Sequence, residues 1–220
     1  MFNQPLIVEY YSDVLCVWAW IAQRRVDELQ SAFGTRIELQ LHYINIFGDC
    51  AGKMAQQWSD RGGYSGFSKH VIESAEPYDS ATVNPDVWEK VRPTTSANAH
   101  LVLKAVEQIA GKDVSATLAL ALRKAFFVEA RDISRLDFLY ELVSGFGVAS
   151  TDIHAVIEDG SAMAALMADY QQAQHWGLKG SPSYLMDGGR QTLFGNVGYR
   201  VLHANIEELL RKPATEASWC

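Results

Sequence analysis

One cysteine in this chain stands where a thiol can be made reactive. Cys16 lies between an apolar run, LIVEYYS at residues 6–12, and an amphipathic run, IAQRRVDELQSAF at residues 21–33. A free thiol with a pKa of about 8.5 is only roughly 3% thiolate at neutral pH. A cysteine at the first turn of a helix faces amide N–H groups without intrahelical partners and the positive end of the helix dipole, both of which favour the anion. Such cysteines have pKa values of roughly 3.5–7.5, so the position predicts a Cys16 pKa well below 8.5. The alternative is a buried core cysteine, a common fate for a free thiol. Three residues further on stands Ala19. The motif is therefore Cys-Val-Trp-Ala, with no second cysteine to close a disulfide within it. The remaining cysteines, Cys50 and Cys220, are widely spaced and imply neither a disulfide framework nor a zinc site.

The elements that must position Cys16 follow from periodicity. Ile7, Val8, Tyr10 and Tyr11 read as a buried strand. Ile21, Ala22, Val26, Leu29 and Phe33 recur at helical spacing, with Gln23, Arg24, Arg25, Asp27 and Glu28 on most of the other face, and Gly34 stops the helix. Ile37, Leu39, Leu41 and Tyr43 then alternate, which is a second strand. A strand, a helix and a strand in this order predict a parallel β-α-β unit.

From Asn45 to Phe67 the periodicity is weak, and Gly62, Gly63 and Gly66 predict a loop or hinge whose aromatics Trp58, Tyr64 and Phe67 pack on the body, with the lining of a site as the alternative. Residues 94–170 read as successive helices. Ser115 is a candidate cap, Ser134 with Asp137 resembles a capping box, and Met163, Leu166, Met167 and Tyr170 form the last apolar stripe. His100, His154 and His175 are read as structural. Two short strands follow at 183–186 and 191–194, joined by Asp187-Gly188-Gly189, a hairpin signal. A final amphipathic helix spans 198–210, and Asn196 is placed to cap it.

The net charge of −7 argues against nucleic acid or an anionic membrane as partner. No apolar run is long enough to span a bilayer, and the N-terminal residues lack the pattern of a secretory signal. These readings predict a cytoplasmic protein without a bound metal.

In YYSDVLCVWAWIAQRRVDEL, in TTSANAHLVLKAV with LRKAFFVEARDISRLDFLYELV, and in GSPSYLMDGGRQTLFGNVGYRVL, the chain resembles the DsbA-like thioredoxin superfamily. The likeness is closest to FrnE-like dithiol-disulfide oxidoreductases. The chain is more distantly similar to kappa-class glutathione transferases and 2-hydroxychromene-2-carboxylate isomerases. The resemblance implies an α/β protein with a thioredoxin-like fold and a large inserted all-helical domain. It divides the chain into 1–48 and 177–220 for the thioredoxin-like part and 49–176 for the insert. It puts Cys16 at the nucleophile position and Ser181-Pro182 at the cis-proline site, where a trans turn proline is the alternative. Trp18, Ser181, Pro182 and Asn196 become candidates for binding substrate or glutathione, while Trp20 reads as core and Asn196 can equally be a plain cap. Ala19 stands where the FrnE-like proteins carry a second cysteine.

The resemblance therefore implies thiol-disulfide exchange or isomerisation through one cysteine, with glutathione as co-substrate and no bound cofactor. A glutathione-dependent transferase or isomerase and a non-catalytic binding module are the alternatives. Cys220, in a short polar tail, is the candidate resolving cysteine, and a tail cysteine without a role is its alternative. A homodimer is compatible with the resemblance.

Overall fold

The computed structural model describes residues 4–211. Strand β1 (Leu6–Ser12) leads through a short turn into helix α1 (Val17–Phe33), and strand β2 (Ile37–Tyr43) lies beside β1. The pairing is parallel, with Tyr10 opposite Leu41. Near the other end of the chain, β3 (Ser183–Met186) runs antiparallel to β1 and β4 (Gln191–Phe194) antiparallel to β3. The four-stranded sheet has the order β2-β1-β3-β4. It joins the two ends of the chain as a thioredoxin-like fold requires.

Alternation along the strands decides what covers each face. Val8, Tyr10, Tyr184 and Met186 point to one side and bury against Val26 and Leu29 of α1 and Leu202 and Ile206 of α9 (Tyr199–Leu210). Tyr11 and Leu185 point to the other side and meet Ala173 of α8 (Ser161–His175). Gly34 ends α1 with φ of 52°, in the left-handed region that favours glycine. Asp187, Gly188 and Gly189 turn the β3–β4 hairpin with φ of 52°, 61° and 88°.

Between β2 and β3 the named elements are all helical: α2 (Cys50–Gln57), α3 (Gly63–Ala75), α4 (Ala97–Ala110), α5 (Lys112–Phe127), α6 (Leu136–Ser144), α7 (Ser150–Glu158) and α8. The segment expected to be a loop from Asn45 to Phe67 thus holds α2 and the start of α3. Its glycines do not break these helices. Gly62 and Gly63 adopt positive φ at the junction, and Asp49 caps α2 by accepting from Gly52 N at 2.8 Å. Weak apolar periodicity reflects short helices that bury few residues, Cys50 and Met54 in α2.

Three local expectations are corrected. Ser115 is inside α5, whose N-terminal boundary is Gly111, and its hydroxyl donates to Leu103 O. Ser134 makes no cap, since α6 starts after Arg135; its hydroxyl bonds Asp132 and accepts from Thr94 N. In α8 the buried face is Ala162, Leu166, Asp169 and Ala173, while Met163 and Met167 are exposed.

The core does not divide at the ends of the helical segment. Val14 and Leu15 of the turn before α1 and Val17 and Trp20 of its first residues share one apolar cluster with Phe67, Trp88, Phe126 and Leu139. The turn that carries Cys16 is therefore held between the sheet and the helices. No described helix is long and apolar enough to cross a membrane.

Candidate active site

Cys16 is the N-cap residue of α1, with extended backbone (φ −82°, ψ 117°). Its carbonyl accepts from Ala19 N and Trp20 N, both at 3.1 Å, and its own N–H donates to Asp13 O at 3.1 Å. The thiol donates to the carbonyl oxygen of Ser181 at 3.2 Å. Ser181 precedes a cis peptide bond to Pro182, and both residues are buried.

Below the thiol lies a buried polar knot that the sequence reading did not pick out. Asp13 is fully buried. Its Oδ1 accepts from Leu15 N at 3.0 Å. Its Oδ2 accepts from Ile46 N at 3.1 Å, Phe47 N at 2.9 Å and Ser96 Oγ at 2.8 Å. Asp13 N donates to Ser181 Oγ at 3.0 Å. His100, also fully buried, accepts from Val14 N through Nε2 at 3.2 Å. Its other ring nitrogen is 3.0 Å from Tyr170 Oη. The acceptor role of Nε2 puts the imidazole proton on Nδ1. Burial, the largest influence, pushes the His100 pKa down to about 4, which keeps the ring neutral. His100 is thus structural, as read. A serine-aspartate pair two residues long, Ser12-Asp13, was the available signal, since a carboxylate at a strand end beside a helix start has to find amide partners.

The electrostatics of Cys16 reverse the expectation from its position. Burial raises the thiol pKa, against the Ser181 side chain and the Ala19 and Trp18 amides, which lower it; the Asp13 carboxylate raises it further. The helix start does favour the anion, but only 6% of Cys16 remains exposed, and the loss of water outweighs the amides. The resting group is a thiol that donates a hydrogen bond.

Cys16 opens onto a cleft of about 560 Å³ that Trp18, Ser181 and Phe194 help to line. Trp20 lies inside the core, its indole N–H donating to Thr82 O at 3.0 Å and its ring stacked on Phe127. Asn196 is not brought to this cleft. The last helix starts at Tyr199 behind Gly198. The Asn196 side chain accepts from Arg25 Nη1 at 2.6 Å and donates to Tyr78 Oη at 2.7 Å. Cys50 is fully buried and donates to Phe47 O at 3.3 Å. Burial first, then the Asp13 and Asp49 carboxylates, push its pKa up to about 12. It is a packing residue. Cys220 lies outside the described residues. No group of three or more described His, Cys, Asp or Glu side chains is arranged to hold a metal ion.

The family model of the DSBA-like thioredoxin domain matches residues 7–207. The chain belongs to this family. Its DSBA-like fold is shared by solved structures at low sequence identity. A Nitrosomonas europaea protein described as a candidate disulfide isomerase has a TM-score of 0.76 and 17% identity, over 94% of this chain and 98% of that one. The cytosolic disulfide reductase DsbM from Pseudomonas aeruginosa has a TM-score of 0.70 and 20% identity, over 94% of this chain and all of that one. A 2-hydroxychromene-2-carboxylate isomerase has a TM-score of 0.62 and 15% identity, over 96% and 100% of the two chains. No curated protein matches the DSBA-like chain.

Proposed function

We propose that this protein catalyses thiol-disulfide exchange through Cys16 alone, with glutathione as co-substrate. The observation that carries the reading is the 3.2 Å contact of Cys16 Sγ with Ser181 O at the mouth of a substrate-sized cleft, with Ala19 in place of a second cysteine. The Cys16 thiolate attacks one sulfur of oxidised glutathione. A bond forms between Cys16 and that sulfur, the disulfide breaks, and the electron pair leaves with the other glutathione thiolate. A second thiol then attacks the mixed disulfide and restores Cys16. Ser181 and its carbonyl hold the peptide part of the adduct, Pro182 shapes that edge, and Trp18 walls the cleft. The Pseudomonas reductase DsbM has a solved complex with GSH and matches this chain with a TM-score of 0.69, which supports the choice of co-substrate. A reducing, glutathione-containing compartment such as the cytoplasm suits an enzyme that depends on external thiols.

One observation favours a second reading. A thiol whose pKa is raised and which donates a hydrogen bond can hold the sulfur of bound glutathione instead of attacking, as a glutathione-dependent isomerase or transferase requires. Exposure to oxidised glutathione separates the two. Exchange predicts one glutathione on the Cys16 peptide, lost in Cys16→Ser. Protein unmodified at Cys16, with reduced glutathione still bound, would overturn exchange in favour of the second reading.

A further inference from the structure

The cleft beside Cys16 has a wall that attack on glutathione does not use. It is built by the end of α2, the turn after it and α3. Trp58, nearly buried, packs on Phe67 with ring centroids 4.9 Å apart and on His70 at 5.2 Å. The Arg61 guanidinium lies over the Trp58 ring, 3.8 Å from its centroid. Arg61 is exposed and makes no ion pair among the described residues. Lys53 also lines the cleft, its Nζ donating to Gln57 Oε1 at 3.1 Å, and Lys179 stands at another edge. Among the described residues no aspartate or glutamate lines this cleft. In a chain of net charge −7 that is a local reversal of sign, and a cleft lined by one sign of charge draws ligands of the other.

We propose that the Trp58–Arg61–His70 wall is a subsite for the leaving half of the disulfide, selecting a group that carries a carboxylate. The proposal rests on the reading of Cys16 as an exchange nucleophile and names its substrate class: small anionic disulfides. As Cys16 bonds to one sulfur, the disulfide breaks and the departing half takes the electron pair as a thiolate. Its body lies along the cleft wall, and its carboxylate meets the Arg61 guanidinium, which Trp58 supports from behind. A guanidinium held by an aromatic face keeps its N–H edges free for a carboxylate. His70, whose pKa is lowered by burial and by Arg61, leaves that contact to Arg61 at neutral pH.

The test uses full-length protein with Cys220→Ser, so that the signal comes from Cys16. Its rate of reaction is measured with 5,5′-dithiobis(2-nitrobenzoate), which is dianionic and aromatic, with 4,4′-dithiodipyridine, which is neutral and aromatic, and with cystamine, which is cationic. Each rate is divided by that of free glutathione with the same disulfide, which removes intrinsic reactivity. The dicarboxylate should exceed the neutral probe by about tenfold, the size of one charge-assisted hydrogen bond. Arg61→Gln should abolish that preference by lowering the dicarboxylate rate more than the dithiodipyridine rate, and Arg61→Lys should retain part of it. Equal normalised rates for the three probes, or a parallel loss for all of them in Arg61→Gln, would overturn the subsite. Failure of Cys16 to react with any probe would instead overturn the exchange reading beneath it.

Discussion

Cys16 shows how burial competes with a helix start. The Trp18 and Ala19 amides and the Ser181 side chain favour the thiolate, whereas desolvation and Asp13 disfavour it, and the disfavouring influences win. The rate of iodoacetamide alkylation against pH should therefore have a midpoint above that of a free cysteine, with Cys16→Ser as the blank. Two substitutions should move the midpoint in opposite directions. Ser181→Ala removes a favourable partner and raises it; Asp13→Asn removes a neighbouring negative charge and lowers it. A midpoint below the free value in the unsubstituted protein would show that the amides dominate. The raised pKa does not forbid catalysis, because the attacking form is needed only while substrate is bound, and a more basic thiolate is the stronger nucleophile.

Helices α2 and α3 carry one wall of the cleft, and their ends depend on particular residues. Asp49 caps α2 through Gly52 N, so Asp49→Ala should lower stability by about 1 kcal/mol in urea denaturation. Gly66 sits where α3 passes the turn of Arg61. A Cβ there would collide with Arg61 O, a backbone atom that moves only with the turn. Gly66→Ala should destabilise by roughly 1–3 kcal/mol. It should also weaken reaction with the dianionic disulfide, since the displaced turn carries Arg61. An unchanged denaturation midpoint would mean that the turn yields freely.

Across the molecule, the Asp13 knot ties the sheet to the helices at the nucleophile turn. Its donors come from the turn itself, from the segment after β2 and from Ser96 at the start of α4, and His100 extends it to Tyr170 of α8. A buried carboxylate with these partners is stable only while all of them are in place. His100 makes this pH-dependent. Its folded pKa of about 4 lies below the ordinary value of 6.5 that the unfolded chain takes, so between those values the unfolded chain binds more protons and stability rises with pH. The contribution is complete above pH 6.5 and is lost as the pH falls towards 4. At about 1.4 kcal/mol for each pH unit of displacement, it is on the order of 3 kcal/mol. Denaturation from pH 7 to 4 should show this loss in the wild type and a shallower slope in His100→Gln; parallel slopes would remove His100 from the account.

Local features were readable from the residues alone. The strands, α1 with its Gly34 end, the 187–189 turn and a cysteine at a helix start are set by spacing and punctuation within a few residues. The resemblance rested on three such stretches, and the family and fold followed. Properties set by distant partners were not readable. Asp13 and Ser181 are 168 residues apart, and Arg25 and Asn196 are 171 apart. The first pair helps to enclose the thiol; the second turns an expected helix cap away from the cleft. The direction of the Cys16 pKa shift, the inert Cys50 and the basic cleft in an acidic chain all depend on which groups lose water together. Desolvation and charge coupling act through space, and folding alone brings those groups within range of one another.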